Sequence, residues 1–128
     1  MKKLIFIFLV STYLLSCSST KNTTLLGTWQ LTEQRLDIGD GNSTFTKIKS
    51  GKTMTFLANG TITSNGAICF MTQVPEAKST GVYDTLTKTL TSKDCPKTAL
   101  KIGYEVNDGV LIISYPCMEP CQQKFVKL

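Results

Sequence analysis

Few residues of this 128-residue chain have the types and spacing that catalysis requires. There is no histidine, so the commonest general base and the usual zinc ligand are both missing. The one Ser-x-x-Lys, from Ser18 to Lys21, lies in a polar stretch that offers nothing to hold the pair in a reactive geometry. Glu33 and Asp37 could form a carboxylate pair, but the pattern around them predicts the solvated side of a strand. We therefore expect no enzymatic activity, no catalytic residue and no cofactor.

The first seventeen residues predict a role for the first cysteine. Lys2 and Lys3 precede an apolar run, Leu4 to Leu15, and Ser16-Cys17 follows it. This arrangement resembles a bacterial lipoprotein signal with a lipobox, which implies that Cys17 is acylated and that the chain is cut before it. A run of about 12 apolar residues is too short for a transmembrane helix, which needs roughly 20. The expected segments are a signal peptide (1–16), a lipidated cysteine with a flexible tether (17–24) and one domain (25–128).

The residues after Cys17 predict where the protein resides. Ser18 follows the cysteine, and the tether contains no acidic residue. This composition resembles that of outer-membrane lipoproteins that face the periplasm. We expect a monomer in the cell envelope, attached to the outer membrane through the lipid on Cys17.

The other four cysteines predict two disulfides, because an exported domain this small is stabilised well by them. Three pairings are open, and we favour Cys117–Cys121 together with Cys69–Cys95. The second pair closes a loop of about 26 residues, which is worth roughly 3 kcal/mol. A zinc site formed by all four cysteines is the alternative, since Cys-x-x-x-Cys fits ligand spacing. An oxidising compartment disfavours it, so we expect no bound metal.

The charge balance argues against nucleic acid as a partner. Once Lys2 and Lys3 are removed from the 14 basic residues, 12 remain against 9 acidic ones, a net charge of +3. Lys47, Lys49 and Lys52 come nearest to a basic patch, and we interpret them as a solvated strand face.

From Leu25 onward the chain consists of short β-forming runs separated by turn signals. Asn59-Gly60 and Asn107-Asp108-Gly109 each predict a hairpin turn. Phe45 to Lys49 and Ala67 to Phe70 predict further strands, and Met71 to Ser79 is the longest expected loop. No window has a helical period.

These elements predict an all-β fold. Antiparallel neighbours joined by tight turns favour an up-and-down meander of about eight strands that closes into a small barrel and hides its edges.

Three motifs in a fixed order carry a family resemblance: Leu26-Gly27-Thr28-Trp29, the hairpin from Met54 to Thr61, and Cys117 to Cys121 followed by Lys124-Phe125-Val126-Lys127. In this order they resemble the small lipocalin-like lipoproteins of the Bacteroidetes type, whose signature is Gly-x-Trp in the first strand. The resemblance implies a lipocalin-like barrel with Trp29 plugging one end from inside. Asp94-Cys95-Pro96 also resembles part of the META domain, which remains an alternative fold.

Five aromatic residues are the candidates for ligand binding or core: Trp29, Phe56, Tyr83, Tyr104 and Phe125. They could line a pocket for a small hydrophobic molecule, as in ligand-carrying lipocalins, or they could fill a small core. In the second case the protein would be an interaction or inhibitor module that meets an envelope protein through loops at the barrel mouth, Met71 to Ser79 among them. A filled barrel favours that module, whereas a cavity above roughly 300 Å³ favours ligand carriage.

Overall fold

The computed structural model describes residues 24–41, 43–96, 101–118 and 120–128. The predicted signal peptide, Cys17 and the part of the predicted tether before Thr24 lie outside the described residues. In the part that is described, all regular structure is β, and no helix is long and apolar enough to cross a membrane. The nine strands are β1 (Gly27–Leu36), β2 (Thr46–Lys47), β3 (Thr53–Phe56), β4 (Thr61–Ser64), β5 (Ser79–Asp84), β6 (Thr89–Ser92), β7 (Ile102–Asn107), β8 (Val110–Tyr115) and β9 (Cys121–Lys127).

Eight of the strands close into an antiparallel barrel. The order is β1-β3-β4-β5-β6-β7-β8-β9, and β9 pairs again with β1 from Trp29↔Lys127 to Leu36↔Cys121. The predicted all-β meander of about eight strands is therefore confirmed, including its closure. Closure satisfies the backbone hydrogen bonds that an open sheet would leave at its two edges.

The ninth strand, β2, exists because β1 is longer than β3. The first residues of β1, Gly27 to Gln30, pair with β3, while Glu33 and Gln34 pair with β2. On the other side of β1, the pairing with β9 shifts register between Leu31 and Glu33. The predicted strand from Phe45 to Lys49 is thus shortened to Thr46–Lys47.

The two predicted hairpin turns differ in construction. Asp108 and Gly109 both have positive φ, 47° and 79°, which matches the twist of the strands that they join. In the β3–β4 turn only Gly60 has positive φ, 83°, while the Asn59 side chain accepts a hydrogen bond from the Thr61 amide at 3.0 Å. Asn59 therefore acts through its side chain rather than through its backbone conformation.

The two ends of the barrel are different. At one end, which we call the tether end, the chain enters at Thr24 and the connections β3–β4, β5–β6 and β7–β8 are short turns. At the other end, the loop end, lie the described residues of the connections β1–β3, β4–β5, β6–β7 and β8–β9. Alternating strand direction places these four connections opposite the N-terminus of the domain.

The connection 65–78, which we call the cover loop, lies over the interior at the loop end. Ile68 and Cys69 in this loop are buried, at 1% and 9% exposure. The prediction that Ala67 to Phe70 continues the sheet is wrong, because this segment turns inward to pack on the core and forms no strand.

Both favoured disulfides are confirmed, and both lie at the loop end. Cys69–Cys95 joins the cover loop to the connection between β6 and β7. Cys117–Cys121 closes the short loop between β8 and β9. All four thiols are thereby used, which excludes the zinc alternative for these cysteines.

Candidate functional site

The five candidate aromatic residues fill the interior of the barrel. Trp29, Phe56 and Phe125 are at most 1% exposed, Tyr104 is buried and Tyr83 is half-buried. They belong to or pack against one continuous core cluster with inward-facing aliphatic residues of every barrel strand except β5 and β9. Side chains therefore occupy the space in which a lipocalin-like pocket would lie.

The polar atoms of these rings form hydrogen bonds within the protein. The indole nitrogen of Trp29 donates to the carbonyl oxygen of Leu25 at 2.8 Å, which holds the entering chain against the tether end. The rings of Phe56 and Tyr83 meet edge to face with centroids 5.2 Å apart. The hydroxyl of Tyr83 donates to the carbonyl of Leu57, and that of Tyr104 to the carbonyl of Asp84 at 3.1 Å. Trp29 is thus buried beside the point where the chain enters at the tether end.

The residue that sequence reasoning missed is Lys52. Its side chain is 0% exposed, so its assignment to a solvated face with Lys47 and Lys49 is wrong, although those two are exposed as expected. Lys52 is two residues before Met54 and four before Phe56, which both point inward, so strand alternation places it on the same inward face. That alternation is the signal that could have identified it.

Lys52 is the centre of a polar group that we call the mouth cluster: Lys52, Thr72, Tyr115 and Gln123. The ammonium nitrogen of Lys52 lies 3.2 Å from the Gln123 side-chain oxygen and 3.2 Å from the Thr72 carbonyl. It is also 3.4 Å from the carbonyl of Phe70. Tyr115 donates to the same Gln123 oxygen at 2.9 Å, and the Gln123 amide donates to the Thr72 carbonyl at 3.0 Å.

Burial changes the acidity of two members of this cluster. Desolvation lowers the pKa of Lys52 from 10.5 to about 8, and the carboxylate of Glu76 opposes the change only in part. Burial also raises the pKa of Tyr115. No carboxylate in the described part of the chain accepts a hydrogen bond from the Lys52 ammonium, and its three acceptors are all neutral oxygens.

The mouth cluster can fasten the cover loop to the barrel. Lys52 immediately precedes β3, Gln123 lies on β9, and the carbonyls of Phe70 and Thr72 belong to the cover loop. A buried lysine of lowered pKa could act as a nucleophile, but here every face of the amine is covered by protein. The hydroxyl of Thr72 is buried without a hydrogen-bond partner.

Three surface depressions lie outside the barrel. Two of about 470 and 390 Å³ lie over the outer face of β3 to β6, where threonines predominate. Thr28, Thr55, Thr63 and Thr80 are direct neighbours in the register of four successive strands of this face. The third, of about 340 Å³, lies beside Cys69 in the cover loop. None of the three opens onto the five aromatic residues.

The loop end carries exposed apolar side chains on three separate connections. Ile38 is 87% exposed and Met118 fully so, and the cover loop adds Phe70 and Val74 at 54% and 58%. Hydrogen bonds hold these loops together: the Asp37 amide donates to the carbonyl of Pro120.

The described residues contain no group of three or more His, Cys, Asp or Glu side chains able to hold a metal ion. Searches of family models, curated proteins and solved structures found no match to the chain. A function for this protein must therefore be inferred from the fold and from the geometry of the site.

Proposed function

We propose that this protein is a lipoprotein of the cell envelope, anchored through lipid on Cys17, that presents the loop end of a filled lipocalin-like barrel to a protein partner. The observation that carries this proposal is the division of the barrel into two unlike ends. The chain enters at one end, and exposed apolar side chains on braced loops stand at the other.

Thr24, through which the proposed anchor would connect to the domain, and the loop end lie on opposite sides of the domain. Thr24 is fixed at the tether end by the ammonium of Lys127, which donates to its carbonyl at 2.7 Å. A lipid seven residues before Thr24 would therefore leave the loops pointing away from the membrane. The barrel closes all its edges except that of the two-residue β2, which favours a monomer.

The loop end has the features of an interaction surface. Single exposed apolar residues are ordinary, but Ile38, Phe70, Val74 and Met118 come from three loops at one end of one small domain. Two disulfides and the mouth cluster hold these loops, so less conformational entropy is lost when a partner binds. We propose no catalytic role for the surface.

Site-specific photo-crosslinking in the native envelope tests this proposal. A photoreactive residue at Ile38 or Met118 should give a protein adduct of defined mass, while the same residue at Val82 or Thr91 should not. Val82 and Thr91 lie on the outer face of β5 and β6, and both are exposed, so they control for chance encounters. With the purified partner, Ile38→Ser should weaken binding. Equal adducts at all four positions would contradict the proposal.

A second candidate function is carriage of a small apolar molecule beneath the cover loop. One observation favours it: the mouth cluster places convergent polar groups, including the unpartnered Thr72 hydroxyl, under a loop that could lift. A discrete extra mass on the native protein, lost on denaturation, would support this function.

A further inference from the structure

The tether end has exposed side chains of its own that the proposed contact with a protein partner does not use. Four leucines are exposed there: Leu26 at 42%, Leu57 at 41%, Leu86 at 93% and Leu128 at 71%. Each lies next to a strand end or in a turn at the same end of the barrel as Thr24. Soluble proteins seldom leave several large apolar side chains on one short rim.

The register brings these leucines to neighbouring positions. Gly27 pairs with Phe56, so Leu26 and Leu57 are each one residue beyond the same pair. The amide of Leu128 donates to the carbonyl of Thr28 at 3.0 Å, which places the C-terminus beside the start of β1. The hydroxyl of Tyr83 donates to the Leu57 carbonyl and connects this side to the end of β5, three residues before Leu86.

Basic side chains accompany the leucines. Lys127 lies over the ring of Trp29 at 5.3 Å, next to Leu128, and the exposed Lys88 closes the turn that carries Leu86. The acidic side chains of this end are Asp84 and Asp108, and the Asp84 carboxylate accepts hydrogen bonds from the amides of Leu86 and Thr87. Apolar tips with lysines beside them suit the boundary between lipid headgroups and acyl chains.

The length of chain before Thr24 specifies what covers this surface. Thr24 is seven residues after Cys17, and even a fully extended chain spans at most about 25 Å between them. The tether end would therefore stay within that distance of the lipid to which Cys17 is attached. We propose that the rim formed by Leu26, Leu57, Leu86 and Leu128 seats on the lipid surface, an inference that rests on the proposed anchor at Cys17.

Tryptophan reporters at the two ends test the proposal in the full lipidated protein. Leu86→Trp and Ile38→Trp are matched, because the two native side chains are 93% and 87% exposed at opposite ends. Both variants are placed in vesicles of phosphatidylglycerol and brominated phosphatidylcholine, and the signal of Trp29 is subtracted with the wild-type protein. We expect a blue shift and bromine quenching for Leu86→Trp and neither for Ile38→Trp.

Two results would overturn the proposal and are distinguishable. If mass spectrometry finds Cys17 acylated but Leu86→Trp is no more quenched than Ile38→Trp, the rim does not contact lipid although the anchor stands. If Cys17 carries no acyl group, the anchor fails and the seating of the rim fails with it. Quenching confined to Leu86→Trp in the acylated protein supports the proposal.

Discussion

The ammonium nitrogen of Lys52 lies 3.2 Å from the side-chain oxygen of Gln123 and so joins the start of β3 to the middle of β9 inside the barrel. Each of the three oxygens that accept a hydrogen bond from Lys52 also accepts one from another donor. The Gln123 oxygen also accepts from Tyr115, the Thr72 carbonyl from the Gln123 amide, and the Phe70 carbonyl from the Thr72 amide. The buried charge is therefore costly to keep and leaves no orphaned group when it is removed.

Lys52→Met should consequently leave the free energy of unfolding at neutral pH unchanged or raise it, because methionine fills the space without a charge to desolvate. Lys52→Ala is the matched control, and the cavity it leaves should make it about 2–5 kcal/mol less stable than Lys52→Met. Urea unfolding measures both. A methionine variant that loses as much stability as the alanine variant would show that the ammonium itself holds the cover loop.

Stability should rise with pH above 8. The unfolded chain keeps the Lys52 proton up to about pH 10.5, whereas the folded chain releases it near pH 8, so the unfolded state binds more protons in between. The gain is about 3 kcal/mol over that range and should be absent in Lys52→Met. Because burial raises the pKa of Tyr115, stability should fall again above about pH 10. Urea midpoints of the wild type and of Lys52→Met, measured from pH 7 to 11, test this prediction. The same dependence on pH in both proteins would refute it.

Trp29→Ala should cost about 3–5 kcal/mol, because the side chain is wholly buried at the tether end. Trp29→Phe keeps most of the volume but loses the hydrogen bond to Leu25, and it should cost less. Chemical denaturation compares the two variants with the wild type. A loss below about 1 kcal/mol in Trp29→Ala would be incompatible with a core residue.

The two disulfides should differ in their contribution. Replacing Cys69 and Cys95 by alanine should lower the free energy of unfolding by about 3.5 kcal/mol, because this disulfide joins residues 26 apart in sequence. Replacing Cys117 and Cys121, which are four residues apart, should lower it by about 2 kcal/mol. Only the first replacement should speed hydrogen exchange in the cover loop, since Cys69–Cys95 is the one of the two disulfides that includes a residue of that loop. Equal exchange in the two double variants would contradict this.

Two strand glycines make a matched pair. A Cβ at Gly81 would overlap the Thr91 carbonyl oxygen on the backbone of β6, while a Cβ at Gly103 would come no closer than 3.9 Å to Ser114. Gly81→Ala should therefore lose about 1–3 kcal/mol, whereas Gly103→Ala should be neutral or slightly stabilising. Thermal unfolding distinguishes the two, and equal changes in stability would show that the close approach of β6 to Gly81 does not decide the effect.

The barrel strands could be predicted because one face of each is buried and the other solvated. Ile102 and Tyr104 point inward in β7 with polar neighbours outward, and Asp108-Gly109 supplies the positive φ that the next turn needs. These are local signals, and they identify strands and turns without knowledge of the fold.

The mouth cluster could not be predicted in the same way. Lys52 and Gln123 follow the inward parity of their strands, but residue type alone assigned Lys52 to solvent. Its burial depends on a loop that returns over the barrel and supplies carbonyl acceptors from Phe70 and Thr72, a non-local arrangement. The cover loop was misassigned for the same reason, since Ile68 resembles a strand residue until Cys69–Cys95 fixes it inward.

Native mass spectrometry of the mature protein, purified from its own envelope, tests the filled barrel most directly. The predicted mass is that of the acylated chain less four hydrogens for the two disulfides, with nothing further attached. A discrete additional mass that is lost on denaturation would mean that the interior opens and carries a ligand, which would contradict a protein that acts only through its outer surface.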